Sequence, residues 1–266
     1  MQTKIKASEL ARDERFERRS AEQRIGDVRM FNSDVRRMDT EAADLEERAR
    51  RQMHGIFVGE IQALEGAGRT AFDFSTEEVP FELKLDMARQ CWDEARHCEI
   101  AIILNDHMGC DIGEHTEYTT LFEAACHDDP VFRLCGVNRA LEGLAIDVFN
   151  NMREFGSEMG DPVMYFCEDW MLADEVTHVK MGSKWLREVT KNDIERRNAA
   201  LEFQKVVDGI FSLGGQRGDS PDAAIKLARR FREMAGFTSE EIDDIAADSA
   251  AQADANRATL EAATAG

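Results

Sequence analysis

The chain has 266 residues, of which 43% are hydrophobic, a length that supports one sizeable core or two small ones. Its 53 acidic and 33 basic residues give a formal charge of −20, which argues against a nucleic-acid partner because such contacts need clustered Lys and Arg. No run of about 18 apolar residues occurs, so we expect no membrane span, and the charged first 24 residues do not resemble a secretory signal.

Helix-forming residues dominate and only four prolines occur, so the sequence predicts an all-α protein. Residues 1–44 are polar and rich in charge, and we expect them to form a partly helical N-terminal extension. Gly236 marks the end of a helix, and Thr238 followed by Glu241 is typical of a helix start. The predicted helices span 44–74, 80–108, 130–156, 162–189, 192–212, 221–235 and 239–262.

The lengths of the connections predict how these helices are arranged. Short links join the first helix to the second and the third to the fourth, so each pair is expected to form an antiparallel hairpin. A much longer link separates the two pairs, and one long crossover between two hairpins is typical of a ferritin-like four-helix bundle. We therefore predict such a bundle over residues 45–190, with the helices of residues 191–266 packing on it or extending it.

Two of the six histidines follow a glutamate by three positions, in Glu94-x-x-His97 and Glu175-x-x-His178. Residues three apart on an α-helix lie within about 60° of each other, so each pair can hold one metal ion. A single motif of this kind is weak evidence in so acidic a chain. The two copies occupy corresponding places in the two predicted hairpins, and this makes a shared metal site the better interpretation.

The other helix of each predicted hairpin carries a matching glutamate. Glu60 lies 34 residues before Glu94, and Glu142 lies 33 residues before Glu175. The whole pattern therefore repeats at an offset of 81 or 82 residues. One glutamate from each of two helices, with Glu-x-x-His from each of the other two, is the ligand set of di-iron and di-manganese carboxylate proteins.

Each of these residues lies on the apolar face of its helix, where a lone carboxylate is costly to bury. Glu60 shares its face with Met53 and Phe57, for example, and no comparable number of Lys or Arg residues is available on the apolar faces. Two divalent cations would compensate four carboxylates. We predict two iron ions, with Mn/Fe and Mn/Mn pairs also compatible, bound by Glu60, Glu94, His97, Glu142, Glu175 and His178.

Three further acidic residues stand near the predicted ligands. Asp93 and Asp174 each precede a ligand glutamate, and a residue at that place points about 100° away from the ion. We expect each aspartate to reach the neighbouring helix and accept the free ring N–H of the opposite histidine. Glu168, one heptad before Glu175, is either a further inner carboxylate or an acid on the helix surface.

Two segments, Glu-Gly-Leu-Ala-Ile-Asp-Val at 142–148 and Asp-Glu-Val-Thr-His-Val-Lys-Met-Gly-Ser-Lys-Trp-Leu at 174–186, carry a resemblance to known proteins. They resemble bacterial ferritin-like di-iron carboxylate proteins of a family without an assigned function, and the segments 60–63 and 93–97 fit the same pattern. The resemblance covers roughly residues 50–190 and implies the same six metal ligands. It implies no substrate.

Two other di-iron families are more distantly similar. The Asp-Glu-x-Arg-His motif at 93–97 is similar to the second-helix motif of bacterial multicomponent monooxygenases, in which the aspartate supports a ligand histidine. The di-iron arylamine N-oxygenases have an additional histidine one turn before the last Glu-x-x-His, where this chain has Met171. That difference argues against their specific chemistry.

The ligand set favours a non-heme di-iron oxidoreductase that activates O2 to hydroxylate, N-oxygenate or desaturate a small organic substrate. Such an enzyme needs an electron source, and the acidic surface could dock a basic electron-donor protein. The C-terminal helices could cover the end of the bundle, bind a partner or form a homodimer. The alternatives are a ferritin-like or rubrerythrin-like iron or peroxide-handling protein, and a manganese catalase.

The six cysteines form no Cys-x-x-Cys pair, which argues against the cysteine-ligated iron module typical of rubrerythrins. Cys91, Cys98 and Cys135 fall on apolar helix faces and are interpreted as small core residues. We therefore expect no disulfides and a cytoplasmic location. A radical-generating subunit is disfavoured because only Tyr118 and Tyr165 are present, and Tyr165 lies off the face of Glu175.

Overall fold

A computed structural model describes residues 45–115, 119–212, 217–220, 223 and 225–264 of the chain. The predicted N-terminal extension, residues 1–44, lies outside the described residues, as does Tyr118. The described part is almost entirely helical, with one pair of two-residue strands, so the predicted all-α class is confirmed. No described helix combines the length and the apolar character that a membrane span requires.

The first hairpin consists of α1 (Leu45–Asp73) and α2 (Phe81–His107), close to the predicted 44–74 and 80–108. Pro80 directly precedes α2 and holds a polyproline-like conformation, with φ −57° and ψ 143°. The side chain of Asn105 donates to the carbonyl of Met53 across the hairpin. Because the thiol of Cys91 meets the carbonyl of Leu64 further along, the two helices run antiparallel.

The connection from α2 contains the short helix α3 (Thr120–Ala125) and leads to a composite third long helix. This helix comprises α4 (Pro130–Arg133), the π-helix π1 (Leu134–Leu141) and α5 (Glu142–Met159). Asp129 caps its start by accepting from the backbone N–H of Val131. The sequence did not predict the π-helical segment, in which backbone bonds span one residue more than in an α-helix.

The predicted end of this helix at Gly156 is wrong. Gly156 lies inside α5, and a Cβ atom there would stand 2.9 Å from the backbone nitrogen of Tyr165 on the next helix. The glycine therefore allows two backbones to approach closely rather than ending the helix. Gly160 ends it instead, in the left-handed conformation with φ +68°.

The fourth long helix, α6 (Pro162–Val189), starts where it was predicted to, with Asp161 as its N-cap. It packs along α5 and also against α2, and these contacts join the two hairpins. Lys184 on α6 pairs with Asp86 on α2 at 3.1 Å, and His107 on α2 pairs with Asp161 at 2.7 Å. These two pairs, at opposite ends, align α2 and α6 in antiparallel directions.

The C-terminal part differs from prediction in the described residues 217–220, 223 and 225–228. Helix α7 (Ile194–Phe211) is followed by a parallel pair of strands, β1 (Arg217–Gly218) and β2 (Ile225–Lys226), and by α8 (Arg229–Met234). The predicted helix over 221–235 is therefore reduced to its last turns. The backbone N–H of Ala228 donates to the buried carboxylate of Asp147 on α5, and this tertiary contact replaces a helical hydrogen bond.

The last helix, α9 (Ser239–Thr264), begins as predicted. Thr238 and Glu241 exchange side-chain and backbone hydrogen bonds in a capping box. The preceding Gly236 has φ +99°, which confirms the predicted helix stop. The main core cluster joins residues of α1, α2, α5 and α6 with Leu227, Ala228, Ala235, Phe237, Ile242 and Ile245 of the C-terminal part.

Candidate metal centre

Two groups of potential ligands lie side by side in the interior between α1, α2, α5 and α6. In each group the ligand atoms lie within 4.8 Å of one another, and all members are buried. The groups overlap in Glu94 and Glu175, so two residues are common to both. The structure thus brings together all six residues singled out from the sequence: Glu60, Glu94 and His97 with Glu175 in one group, and Glu94, Glu142, Glu175 and His178 in the other.

The Nδ1 atom of each histidine faces the carboxylates. Nδ1 of His97 lies 3.0 Å from oxygens of both Glu60 and Glu94, and 3.1 Å from Oε1 of Glu175. Nδ1 of His178 lies 3.0 Å from Glu94 and 3.3 Å from Glu175. In this structure the two Nδ1–H groups therefore occupy the positions in which a cation would meet the same carboxylates.

The Nε2 atom of each histidine faces an aspartate on the opposite helix. Nε2–H of His97, on α2, donates to Asp174 on α6 at 3.3 Å. Nε2–H of His178, on α6, donates to Asp93 on α2, also at 3.3 Å. The crosswise contacts predicted for the two aspartates are thus present, and they leave Nδ1 of each ring directed toward the glutamates.

Arg96 connects the two aspartates, a role that was not predicted from the sequence. Its Nη2 atom donates to Oδ1 of Asp93 and, at 3.2 Å, to Oδ2 of Asp174. Its guanidinium also lies 5.9 Å from the ring centre of the half-exposed Trp170. One side chain therefore orients both histidines through their aspartates. Its place in the Asp-Glu-x-Arg-His motif, three residues after Asp93, was the available signal.

Gln90 and Asn138 position a second part of the site and were also missed. Nε2 of Gln90 donates to Glu142 at 2.6 Å and to Glu94 at 3.2 Å. Its carbonyl oxygen accepts from Nδ2 of Asn138 at 2.5 Å. Asn138 belongs to π1, and the Cβ of any residue but glycine at Gly182 of α6 would lie 2.5 Å from its Cβ. The π-helix, which ends immediately before Glu142, thus brings Asn138 into the site.

Burial and the mutual interactions of the carboxylates and imidazoles shift several pKa values in this cluster. Burial, followed by repulsion from Glu94 and Glu175, raises the pKa of Glu60 to about 8, although a hydrogen bond from His97 opposes this shift. Burial and the neighbouring Glu94 raise the pKa of Glu142 well above its usual range. Burial alone would lower the pKa of His97, but its carboxylate partners outweigh burial and raise it strongly. The imidazolium charges and the protons on glutamates compensate the remaining carboxylates.

The donor set fits divalent metal ions. Among the described residues, Glu60, Glu94 and Glu175 pair with His97 or His178, whereas Glu142 accepts a hydrogen bond from Gln90. None of the four glutamates forms an ion pair with a described lysine or arginine. Oε1 of Glu175 is buried and makes no hydrogen bond of good geometry. The expectation that buried Lys and Arg residues would not match the four glutamates in number is wrong, because Arg133, Arg139, Arg217 and Arg232 are buried. They are engaged elsewhere, as Arg133 with Asp73 and Arg232 with Asp147 show. Buried glutamates and histidines could therefore hold metal here.

Glu168 proves to be an inner residue rather than a surface acid. It is fully buried, and neither carboxylate oxygen has a hydrogen-bond partner among the described residues. Burial, followed by the neighbouring Glu60, raises its pKa well above the usual range, which favours the neutral acid. It lies about 10 Å along α6 from Glu175, two helical turns away.

Residues 2–243 match the model of a protein family described as "Protein of unknown function (DUF455)". The chain belongs to this family. The match includes every residue of the metal centre and most of the C-terminal part, so the DUF455 family model spans the whole site described above. No curated protein and no solved structure matches the chain.

Proposed function

We propose that this DUF455 protein is a ferritin-like, non-heme di-iron oxidoreductase that uses O2 to oxidise a small organic substrate. The overlap of the two buried ligand groups in Glu94 and Glu175 carries the proposal. Two shared carboxylates, with one glutamate and one histidine left for each ion, have the composition of a carboxylate-bridged pair of metal ions. Glu60 and His97 would complete the site of one ion, and Glu142 and His178 that of the other.

The arrangement of the helices supports the ferritin-like part of the proposal. Two antiparallel hairpins, α1 with α2 and α5 with α6, are separated by a long crossover, and each of the four helices contributes to the site. When bound, a pair of ferrous ions would supply the electrons and the open positions for binding and reducing O2. Hydroxylation, N-oxygenation and desaturation all belong to this chemistry.

The chain's own residues hold and shelter the ions. Asp93 and Asp174 keep a proton on Nε2 of each histidine, so Nδ1 is the atom left to bind a metal ion. Phe149 packs edge-on to the ring of His97, and the buried Ile146 and Met171 lie one helical turn from Glu142 and Glu175. These apolar side chains would shelter the ions from water. We further propose an external electron-donor protein and a reducing cytoplasmic compartment, in keeping with six free cysteines.

Metal analysis of protein purified from iron-supplemented cells tests the proposed site. We expect close to two ions per chain, and a reduced number after Glu142→Ala, which leaves the other helices intact. Glu188→Gln, at an exposed position of α6, is the matched control and should bind as the wild type does. Well-folded protein that never holds more than a trace of metal would refute the proposal.

Oxygen consumption separates an oxidoreductase from its alternatives. Anaerobically reduced, iron-loaded protein should consume O2 in proportion to its metal centres. An iron-storage protein of the ferritin kind would instead oxidise and store many iron ions per chain. A manganese catalase would release O2 from peroxide with manganese bound. A mineral core or peroxide-dependent O2 release would therefore replace the proposed activity with one of these.

A further inference from the structure

A second group of ligand atoms lies at the end of α2, away from the glutamates of the first site. The thiol of Cys110, the carboxylate of Glu114 and the imidazole of His115 have ligand atoms within 4.8 Å of one another. Cys110 is buried, while Glu114 is exposed, so the group opens to solvent on one side. Nε2 of His115 is buried and has no hydrogen-bond partner among the described residues. A buried ring nitrogen without a partner is costly unless it binds something.

Residues of α1 hold this group in place. Arg50 donates to both carboxylate oxygens of Glu114, at 2.9 and 3.0 Å, and to the carbonyl of Gly109. The ring of His54 lies 5.4 Å from that of His115 in an edge-to-face arrangement. These contacts orient a carboxylate and an imidazole in the way that outer partners orient the ligands of metal sites.

The geometry points to a zinc site formed by Cys110, Glu114 and His115, with solvent as the fourth ligand. Zinc prefers such a mixed sulfur, nitrogen and oxygen set, and an open fourth position is common where three protein residues bind it. Bond lengths of about 2.0–2.3 Å place zinc ligands about 3.5 Å apart, so small side-chain rotations close the shell. The six residues of the first site include no cysteine, so a thiolate distinguishes the two.

The chemistry of binding is a proton exchange. Burial and the nearby Glu114 carboxylate raise the pKa of Cys110, so the metal-free thiol keeps its proton. Zinc forms a bond to sulfur as the S–H bond breaks, and the proton leaves to solvent. The bound ion would fasten the start of the long crossover to α1 and α2, since Cys110 lies three residues after the end of α2 and His115 contacts His54 of α1.

Cobalt(II) titration of the full-length protein tests this inference, because a cobalt–thiolate bond gives a near-ultraviolet charge-transfer band that carboxylate and histidine ligands do not give. We expect the band in the wild type, its displacement by zinc, and its loss in Cys110→Ser. His115→Ala, at a partly exposed loop position, should lower zinc affinity by more than the 10- to 100-fold typical of outer partners.

Two controls make the result specific. Cys126→Ser changes another buried cysteine and should retain the band. Glu142→Ala, which weakens the first site, should also retain it, so the zinc site is tested independently of the proposed oxidoreductase. Absence of the band in the wild type, its persistence in Cys110→Ser, or its loss in either control would overturn the inference.

Discussion

At the scale of single residues, substitutions of Asp93 and Asp174 test how far the residues around a ligand affect the metal affinity of the proposed site. Each accepts a hydrogen bond from Nε2 of a histidine on the opposite helix. Asp93→Asn or Asp174→Asn keeps the shape and removes the charge, so metal affinity should fall by about 10- to 100-fold while the fold survives. Competitive metal titration measures this. Asp106→Asn, at an exposed position of α2, is the control. Unchanged affinity in both variants would make these aspartates ordinary acids.

Proton release reports the ionisation of the ligands themselves. Metal ligands must be deprotonated, and in the metal-free protein Glu60 has a pKa of about 8 while that of His97 is also raised. A raised pKa means that the proton is held at neutral pH, so metal affinity should rise as the pH increases toward and past 8. The number of protons released should fall by about one between about pH 6.5 and pH 9.5, as Glu60 loses its proton beforehand.

Calorimetry in buffers of different ionisation enthalpy counts these protons directly. Glu60→Gln removes the group with the pKa near 8 and should abolish the difference between the two pH values. Absent release would show that the site is already ionised before metal arrives. Identical release at both pH values in the wild type would show that Glu60 does not titrate between them.

At the scale of elements, π1 depends on a close contact between backbones. A Cβ atom at Gly136 would overlap the carbonyl of Ala125 at the end of α3. Gly136→Ala should therefore destabilise the protein by at least about 1–3 kcal/mol, the usual cost of overpacking, because a main chain cannot rotate away. Gly55→Ala, in α1 with no atom within 4 Å of the new Cβ, should instead stabilise by about 0.5–1 kcal/mol. Denaturant unfolding measures both, and a shift of the same sign in the two variants would contradict the argument.

Whether a site residue acts within one helix or between two helices explains which of them the sequence could predict. The Glu-x-x-His pairs were predictable because two ligands of one ion on the same helix must stand three or four residues apart, whatever the rest of the fold does. Gln90 and Asn138 were not, because their role depends on the register between two helices, and π1 shifts that register by one residue. The periodicity of a sequence describes one helix at a time, so it does not predict contacts between helices.

The prediction of a helix over residues 221–235 in the C-terminal part was wrong for a related reason. The segment 221–235 has a helical pattern, but the backbone N–H of Ala228 donates to the buried carboxylate of Asp147, at 2.9 Å, and α8 begins only at Arg229. A buried charge of this kind is satisfied only by its tertiary partner, which no local pattern reveals. In contrast, the capping box of Thr238 and Glu241 lies within four residues and was correctly predicted.

At the scale of the whole molecule, Asp147 joins the C-terminal part to the helix that carries Glu142. Its two oxygens accept from Arg232 and Arg217 and from the backbone of Ala228, and all of these groups are buried. Because the main core cluster also spans both parts, we expect one cooperative unfolding transition rather than two. The tryptophan fluorescence, which comes from α2 and α6, and a label in α9 should therefore report the same midpoint.

Asp147→Asn tests that coupling. The substitution keeps the volume but leaves two buried guanidinium groups without their shared charge, so the protein should lose about 3–5 kcal/mol of stability in that single transition. Asp243→Asn removes the partner of an exposed pair with Arg229 and should cost less than about 1 kcal/mol. If Asp147→Asn shifted only the signal from α9 and left that from α2 and α6 unchanged, the C-terminal part would unfold on its own. Metal retained by such a protein would then show that the four long helices hold the site without the C-terminal part.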